Sequence, residues 1–347
     1  MNRFTSLLII VLALAVVLAG AGIAAGNRFL DAPLSLDGPE VYYEIRQGVP
    51  FATVSAELAQ LGMIDRPDWF RWYARLSGKA QKVRAGEYTV SSGTTARQLL
   101  DQFVAGDVRQ YSFTIVEGWN FRELMSALES DEHIVSTVSA DDWPAVLESL
   151  GADASFPEGL FLPETYHFPK GTSDVDVLRQ ALDLQRKALT EEWASRAAGL
   201  PLQSPYEALV LASIIEKETA KVDERARIAG VFVRRLQKNM RLQTDPTVIY
   251  GVGENFDGNL TRRHLRTDTP YNTYTRHGLP PTPIAMPGRA AIHAALNPED
   301  GTELYFVATG LGDGSHAFSE TKDQHDAAVQ RYLARQRATR ANSQGKP

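Results

Sequence analysis

Cysteine is absent from this chain of 347 residues. A disulfide framework, a thiolate nucleophile and a cysteine metal site are therefore excluded. The seven histidines show no HExxH or comparable spacing, so neither a metal site nor a cofactor is expected. Basic clusters are scarce as well. The net charge is −6, and we interpret the one basic stretch, "ARQRATRANSQGK", as a solvated end. Binding to nucleic acid is therefore not expected.

Charged residues are missing from one long stretch near the N-terminus. Ser6–Ala25, "SLLIIVLALAVVLAGAGIAA", has twenty residues without a charge, about the length that crosses a ~30 Å hydrocarbon core as a helix. Arg3 precedes it, which predicts a cytoplasmic N-terminal end and an exported body. The small residues also fit a cleaved signal peptide, but the apolar run is longer than the usual core of about 7–15 residues. We therefore predict a single-pass anchor in residues 1–26.

Behind a predicted linker at residues 27–40, the body begins with a small domain at residues 41–107. Strand-like "VYYEI" and "GEYTV" enclose two apolar stripes with helical spacing. The stripes consist of Phe51, Val54, Leu58 and Leu61, and of Trp69, Phe70, Tyr73 and Leu76. Thr95 and Gln98 then have the capping-box spacing for a further helix. The order strand–helix–helix–strand predicts a compact two-layer unit.

Residues 108–335 are predicted to form a larger domain, followed by a flexible tail at residues 336–347. Its clearest helix signals are N-terminal caps, at Asn120 with Glu123 three residues on and at Ser204 before a proline. The stretches "QYSFTIV", "TVIY" and "ELYFVAT" are strand-like. Helices and strands mix without regular alternation, which predicts an α+β fold rather than a doubly wound α/β sheet.

The stretch "FPEGLFLPETYHF" places Glu158 among Phe156, Leu160 and Phe161. Apolar surroundings should raise the pKa of its carboxyl group towards neutral, which a general acid requires at pH 7. The flanking Gly159 would let the backbone approach a ligand closely. The alternative is that Glu158 caps a turn at the surface.

Other polar residues are candidates for a supporting role. Glu216 and Glu218 lie two apart on the helix predicted for "SPYEALVLASIIEKETA", roughly 200° around its axis, so they cannot both face one cleft. A solvated helix end is the alternative for this pair. The loop around Gln243 and the proline-rich "YNTYTRHGLPPTPIAMPG" suit the wall of a carbohydrate cleft. An ordinary turn and a structural wrap are the alternatives for these two segments.

Seven motifs follow one another along the body. They are "AGEYTVSSGTTARQLLDQFVAGDV", "TIVEGWN", "FPEGLFLPETYHF", "ASIIEKETA", "RLQTDPTVIYG", "YNTYTRHGLPPTPIAMPG" and "ALNPEDGTELYFVATGLGDGSHAFSET". Together with the N-terminal span, these motifs closely resemble the endolytic murein transglycosylases, the YceG-like family. The similarity runs from about residue 40 to 335. It implies a LysM-like subdomain at residues 41–107 and a YceG-like catalytic domain at residues 108–335.

The resemblance also implies an activity, which is cleavage of the MurNAc–GlcNAc β-1,4 bond within nascent glycan strands to leave 1,6-anhydro-MurNAc ends. The body would lie on the periplasmic side of the bacterial inner membrane, beside peptidoglycan synthases. The family's catalytic glutamate lies in its "PEG" motif, which implies Glu158 here as general acid and base. The supporting candidates are Tyr166, Glu216, Glu218, Gln243, Asn272 and Tyr274.

Two rival functions remain open from the sequence. One is a muramidase that hydrolyses the same bond with two carboxylates, Glu158 being assisted by Glu216 or Glu218. The other is an anchored scaffold that binds peptidoglycan without catalysis.

Overall fold

The computed structural model describes residues 3–344, so the first two residues of the predicted anchor and the last three of the predicted tail lie outside it. Its helices are α1 (Arg3–Asp31), α2 (Phe51–Gln60), α3 (Pro67–Leu76), α4 (Ala96–Ala105), α5 (Phe121–Ser130), α6 (Trp143–Leu150), α7 (Asp174–Ala194), α8 (Pro205–Glu218), α9 (Val222–Gln237), α10 (Asp245–Val252), α11 (Arg262–Arg266), α12 (Arg289–Leu296) and α13 (Lys322–Gln344). The strands are β1 (Glu40–Ile45), β2 (Gly86–Ser91), β3 (Gln110–Thr114), β4 (Ile134–Val135), β5 (Thr165–Pro169), β6 (Thr172–Ser173), β7 (Tyr305–Ala308) and β8 (His316–Ser319).

The strands form small pairs rather than one large sheet. β1 pairs with β2 and β7 with β8 in antiparallel fashion, whereas the two residues of β4 run parallel to β6. The α+β prediction is confirmed, because helices and strands mix without the regular crossovers of a doubly wound sheet.

The chain divides into two compact units. The first extends to Tyr111 and also includes His167–Gly171, and the second contains the remaining residues. In the first unit, β1, α2, α3 and β2 follow in the predicted order. Their core is mostly apolar, and α4, whose capping box is present, contributes Leu99, Leu100 and Phe103 to it. The Gln98 N–H donates to the Thr95 hydroxyl at 3.3 Å, and the Thr95 N–H donates to the Gln98 side chain at 3.0 Å.

Helix α1 belongs to the first unit at its C-terminal end. Among residues 3–344 it is the one helix that is long and apolar enough to cross a membrane. It continues to Asp31, so residues 27–31, which we expected to be linker, are helical. Leu30 is only 6% exposed and joins the core of the unit. The anchor candidate is therefore continuous with the folded first unit.

The second unit is built around α8, which packs against α7, α9, α10 and α12. Every residue from Ala208 to Ile215 is buried. The segment "TVIY" was predicted to be a strand, and that prediction is wrong, because it lies within α10. Pro246 fits the first turn of a helix, where its missing N–H leaves no hydrogen bond unmade. Burial of Val248 favours the helix over the strand preference of β-branched residues.

The last helix also differs from the expectation. α13 continues to Gln344, although a flexible tail was expected from residue 336. The helix packs on β7 and β8, so it contributes to the second unit.

Candidate active site

Helix α8 carries Glu218 as its last residue. The helix starts as the sequence predicts, because the Ser204 hydroxyl accepts the Glu207 N–H at 3.2 Å and Pro205 occupies the first turn. Since the middle of the helix is buried on all sides, its position is fixed by the core. Glu218 therefore projects from a rigid element rather than from a loop.

A cavity of about 480 Å³ lies at this end of α8, within the range of small-molecule sites. Its acidic, amide and phenol groups come from α8, α10, β7 and the neighbouring loops, and they are Glu218, Gln243, Asp245, Tyr274 and Tyr305. Its basic and imidazole groups come from α9, β8 and α13, and they are Arg235, His316, Lys322 and His325. The cavity thus presents several proton-transfer groups together with cations.

Glu218 has an unusual electrostatic environment. Burial raises the pKa of its carboxyl group from 4.5 to about 7, and the charge of Asp245 acts in the same direction. The hydroxyl of Thr244, which donates to the carboxylate, and the nearby Arg235 lower the pKa in opposition. A carboxyl group with a pKa near 7 is suited to give and take a proton at neutral pH.

The loop beside Glu218 is held by Arg235. The guanidinium group donates to the Leu242 carbonyl at 2.7 Å and to the Leu304 carbonyl at 2.6 Å. Gln243 has a left-handed φ of 52°, a conformation that non-glycine residues seldom adopt. Next to it, the Tyr274 hydroxyl donates to Asp245 at 2.6 Å. These hydrogen bonds therefore hold the groups of the cavity in place.

Glu158 lies elsewhere in the second unit and is only 2% exposed. One carboxylate oxygen accepts the Phe121 N–H at 3.0 Å, and the other accepts the Tyr250 hydroxyl at 2.9 Å. Phe121 is the first residue of α5, so Glu158 satisfies a backbone donor that has no partner within the helix. The alternative of a cap at the surface is wrong for this residue, because the cap is buried.

The predicted rise in the pKa of Glu158 is confirmed. Burial raises the pKa from 4.5 to about 7, against the opposing hydrogen bonds from Tyr250 and Phe121. Gly159 follows with φ of 78°, and a Cβ atom there would lie 2.6 Å from Pro283. The glycine is thus required by close packing with another protein segment.

Glu216 points away from the cavity, as its spacing from Glu218 predicts. Its carboxylate accepts from Arg225 at 2.8 Å and from the Gly288 N–H at 2.9 Å. Arg225 also donates to Glu117 at 3.1 Å. This network ties the end of α8 to α9 and to two loops, and it is structural.

The remaining candidates separate into two groups. Gln243 and Tyr274 line the cavity with Glu218. Asn272 is fully buried, and its amide group donates to the carbonyls of Leu265 and Thr267. Tyr166 is buried and donates to the Leu162 carbonyl. Both of these side chains stabilise their own segments.

Sequence reasoning missed the basic wall of the cavity. Arg235 is one of several arginines on an amphipathic helix, and His316, Lys322 and His325 lie about a hundred residues after Glu218. No local spacing links these residues, so only the fold brings them together. Within residues 3–344, no group of three or more His, Asp or Glu side chains is arranged to hold a metal ion.

The sequence profile of the YceG-like family matches residues 43–331. A Bacillus subtilis (strain 168) protein named endolytic murein transglycosylase is 28% identical, and the alignment covers 91% of each chain. A protein of the same name from Streptococcus pneumoniae (serotype 2, strain D39) is 26% identical over 90% of this chain and 63% of its own length. A crystal structure of a YceG-like protein from Listeria monocytogenes is 28% identical, with a TM-score of 0.49 over 83% of this chain and 98% of that one.

Proposed function

Because the chain belongs to the YceG-like family, we propose that it is a lytic transglycosylase that acts on peptidoglycan. Its substrate is the MurNAc–GlcNAc β-1,4 bond within glycan strands, and its product carries a 1,6-anhydro-MurNAc end. The relatives from Bacillus subtilis and Streptococcus pneumoniae share the name endolytic murein transglycosylase, which supports this reaction class. The cavity at the end of α8 supports a site of suitable size and chemistry.

The geometry favours Glu218 as the proton donor and acceptor. Glu218 and Glu158 both have a pKa of about 7, so the pKa alone does not separate them. Glu218 lines a cavity that admits a ligand, whereas both oxygens of Glu158 are occupied by protein donors in a packed interior. A general acid must come within hydrogen-bond reach of the bond that it cleaves. The access of Glu218 to the cavity is the observation that carries the proposal.

The proposed reaction uses one carboxyl group twice. Protonated Glu218 donates to the bridging oxygen as the bond between that oxygen and the anomeric carbon breaks. The resulting carboxylate then takes the proton of the C6 hydroxyl group of the same MurNAc, whose oxygen bonds to the anomeric carbon. No water is consumed, and Glu218 ends the cycle protonated. The carboxylate of Asp245, in the same cavity, favours the positive charge that develops on the sugar ring.

A matched pair of variants tests this assignment. Glu218→Gln removes the proton donor, so we expect the release of anhydro ends from purified glycan strands to be abolished, as measured by mass analysis. Glu158→Gln changes a carboxyl group whose pKa is also about 7 but which lies outside the cavity, and we expect it to retain activity. The opposite outcome would support the assignment of Glu158 made from the sequence. Unchanged activity in both variants would refute single-carboxyl catalysis at either position.

The muramidase alternative gains some support because Glu218 and Asp245 line the same cavity, and a pair of carboxylates is what a hydrolase needs. Product mass separates the two reactions, since an anhydro end is lighter by one water than a hydrolysed end. A non-catalytic scaffold would be supported if the wild-type chain released neither product.

We extend the proposal to the placement of the chain. α1 would span the bacterial inner membrane with its N-terminus in the cytoplasm, and the body would face the periplasm. The small unit with the order β1, α2, α3, β2 would act as a LysM-like module that holds the glycan. Such an anchored enzyme would act on strands as they leave the synthases at the membrane surface.

A further inference from the structure

Helix α3 of the first unit has two apolar faces. Phe70 and Ala74 are fully buried in the core of the unit. Trp69, Trp72 and Leu76 are spaced by three and four residues and so form a second stripe along the helix. Trp69 is half-buried, but Trp72 is 57% exposed and Leu76 is 80% exposed. The sequence predicted Leu76 to belong to the apolar stripe of this helix, and the structure turns it outwards.

The start of this stripe touches the end of α1. The rings of Phe29 and Trp69 meet edge to face, with their centroids 6.2 Å apart. Leu30 is buried in the core beside them, and Arg97 forms an ion pair with Asp31 at 2.8 Å. These contacts all lie within the first unit. They fix the position of α3 relative to the end of α1.

The length of α1 gives the depth of this contact. The apolar run ends at Ala25, and Phe29 lies four residues further along the same helix, a rise of about 6 Å. The polar layer on each side of a bilayer is roughly 5–8 Å thick. When the apolar run spans the hydrocarbon core, Phe29 and Trp69 therefore lie at the level of the lipid headgroups, where tryptophan is enriched.

The charge around α3 fits the same surface. From Arg66 to Arg84 the chain carries six basic residues and one acidic residue, although the net charge of the whole protein is −6. Arg75 is exposed beside the stripe. Anionic headgroups attract basic residues close to the bilayer. A basic helix that exposes tryptophan and leucine is typical of segments that lie in the membrane interface.

We propose that α3 is an interfacial helix, which inserts Trp69, Trp72 and Leu76 among the headgroups of anionic phospholipids. This inference rests on the proposed membrane anchoring by α1. It adds that α3 is a second contact, besides the anchor, that holds the first unit against the bilayer.

The lack of cysteine makes the test direct. Single variants Leu76→Cys, Arg71→Cys and Leu14→Cys of the full chain are labelled with an environment-sensitive fluorophore and placed in bilayers that contain phosphatidylglycerol. Lipids that carry a spin label at a known depth are then added, and the label that quenches a fluorophore most strongly reports the depth of that fluorophore in the bilayer. We expect the probe at position 76 to be blue-shifted and quenched by spin labels near the headgroups. Arg71 lies on another side of the same helix, so its probe should remain closer to its emission in water.

Leu14 lies within the apolar run and serves as the control for anchoring. Its probe should be quenched by spin labels deep in the acyl chains. Quenching at position 14 together with water-like emission at position 76 would overturn the interfacial helix and leave the anchor intact. An unquenched probe at position 14 would refute both the anchor and the inference that rests on it.

Discussion

Two glutamates with the same pKa illustrate how much depends on the surroundings of a single residue. Glu158 is enclosed by the protein and completes the start of α5. Burial raises the pKa of Glu218 to a similar value, yet Glu218 lines an accessible cavity. A raised pKa shows that the surroundings destabilise the charged form of the carboxyl group. Such a group can take part in catalysis only where a ligand can reach it.

Replacing Thr244 by valine should change the pH dependence of the activity. The Thr244 hydroxyl donates to Glu218 and lowers the pKa of its carboxyl group. Without this bond the acid stays protonated to higher pH. A general acid works below its pKa, so the fall of kcat/KM above neutral pH should move upwards by about one pH unit. A pH–rate profile of both proteins measures this, and a profile that does not move would contradict the role of Glu218 as acid.

Glu158 should make the folded state less stable as the pH rises. Its pKa is raised from 4.5 to about 7 on folding, so the folded state binds the proton more tightly than the unfolded chain. The stabilisation is complete below pH 4.5 and is lost as the pH rises to 7. The difference is about 3 kcal/mol.

The Glu158→Gln variant has no such titration. Its free energy of unfolding relative to wild type should therefore increase between pH 4.5 and 8. Denaturant unfolding in detergent at several pH values checks this. A difference between the two proteins that is constant with pH would contradict the raised pKa.

Local signals reveal a residue only when its environment is local. The direction of the pKa shift of Glu158 was predictable from the apolar neighbours in "FPEGLFLPETYHF", although its hydrogen-bond partners Phe121 and Tyr250 come from α5 and α10. The environment of Glu218 comes from Thr244, Asp245 and Arg235, which approach through the tertiary fold. Sequence reasoning therefore found Glu218 as a supporting candidate and could not predict its cavity.

At the scale of elements, short-range chemistry was the reliable guide. The capping boxes at Thr95 and Asn120 form as their spacing predicts, because both partners lie within one turn. The strand predicted for "TVIY" failed because β-branched residues express only a weak preference that packing can override. The buried network of Glu216 and Arg225 had no signal in the sequence, since its members come from α8, α9 and distant loops.

Arg225→Ala should strongly destabilise the second unit. Arg225 is buried and pairs with Glu216 at 2.8 Å and Glu117 at 3.1 Å. Removing it leaves a buried carboxylate without its cation, at a cost of about 3–5 kcal/mol. Chemical unfolding of the full chain in detergent measures the loss.

The double variant Arg225→Met with Glu216→Gln is the control, because it removes both buried charges together. We expect it to be more stable than Arg225→Ala. If the double variant is no more stable than Arg225→Ala, the uncompensated carboxylate is not the cause of the loss.

At the scale of the whole molecule, the two units and the anchor candidate differ in how far the sequence reveals them. The apolar run of α1 and the order of elements in the first unit follow from composition and periodicity. His167–Gly171 also belongs to the first unit, and neither composition nor periodicity indicates this. The helical continuation of α1 into the body also escaped prediction, because its stabilising partners, such as Arg97, lie far along the chain.

Leu30→Ala in the full chain should destabilise the first unit by about 2–5 kcal/mol, since it leaves a cavity in the core. Leu14→Ala is the matched control, because Leu14 contributes nothing to that core. Thermal unfolding in detergent should show a lower Tm for the first variant alone. Equal Tm values for the two variants would mean that the end of α1 is not part of the folded unit.

Helix α13 is synthesised after the other elements that line the cavity. Ribosomes make the chain from its N-terminus, and Lys322, His325 and Val329 of α13 close the wall beside Glu218. A growing polypeptide therefore contains Glu218 about a hundred residues before it contains this wall. The cavity can be complete only after α13 has been made.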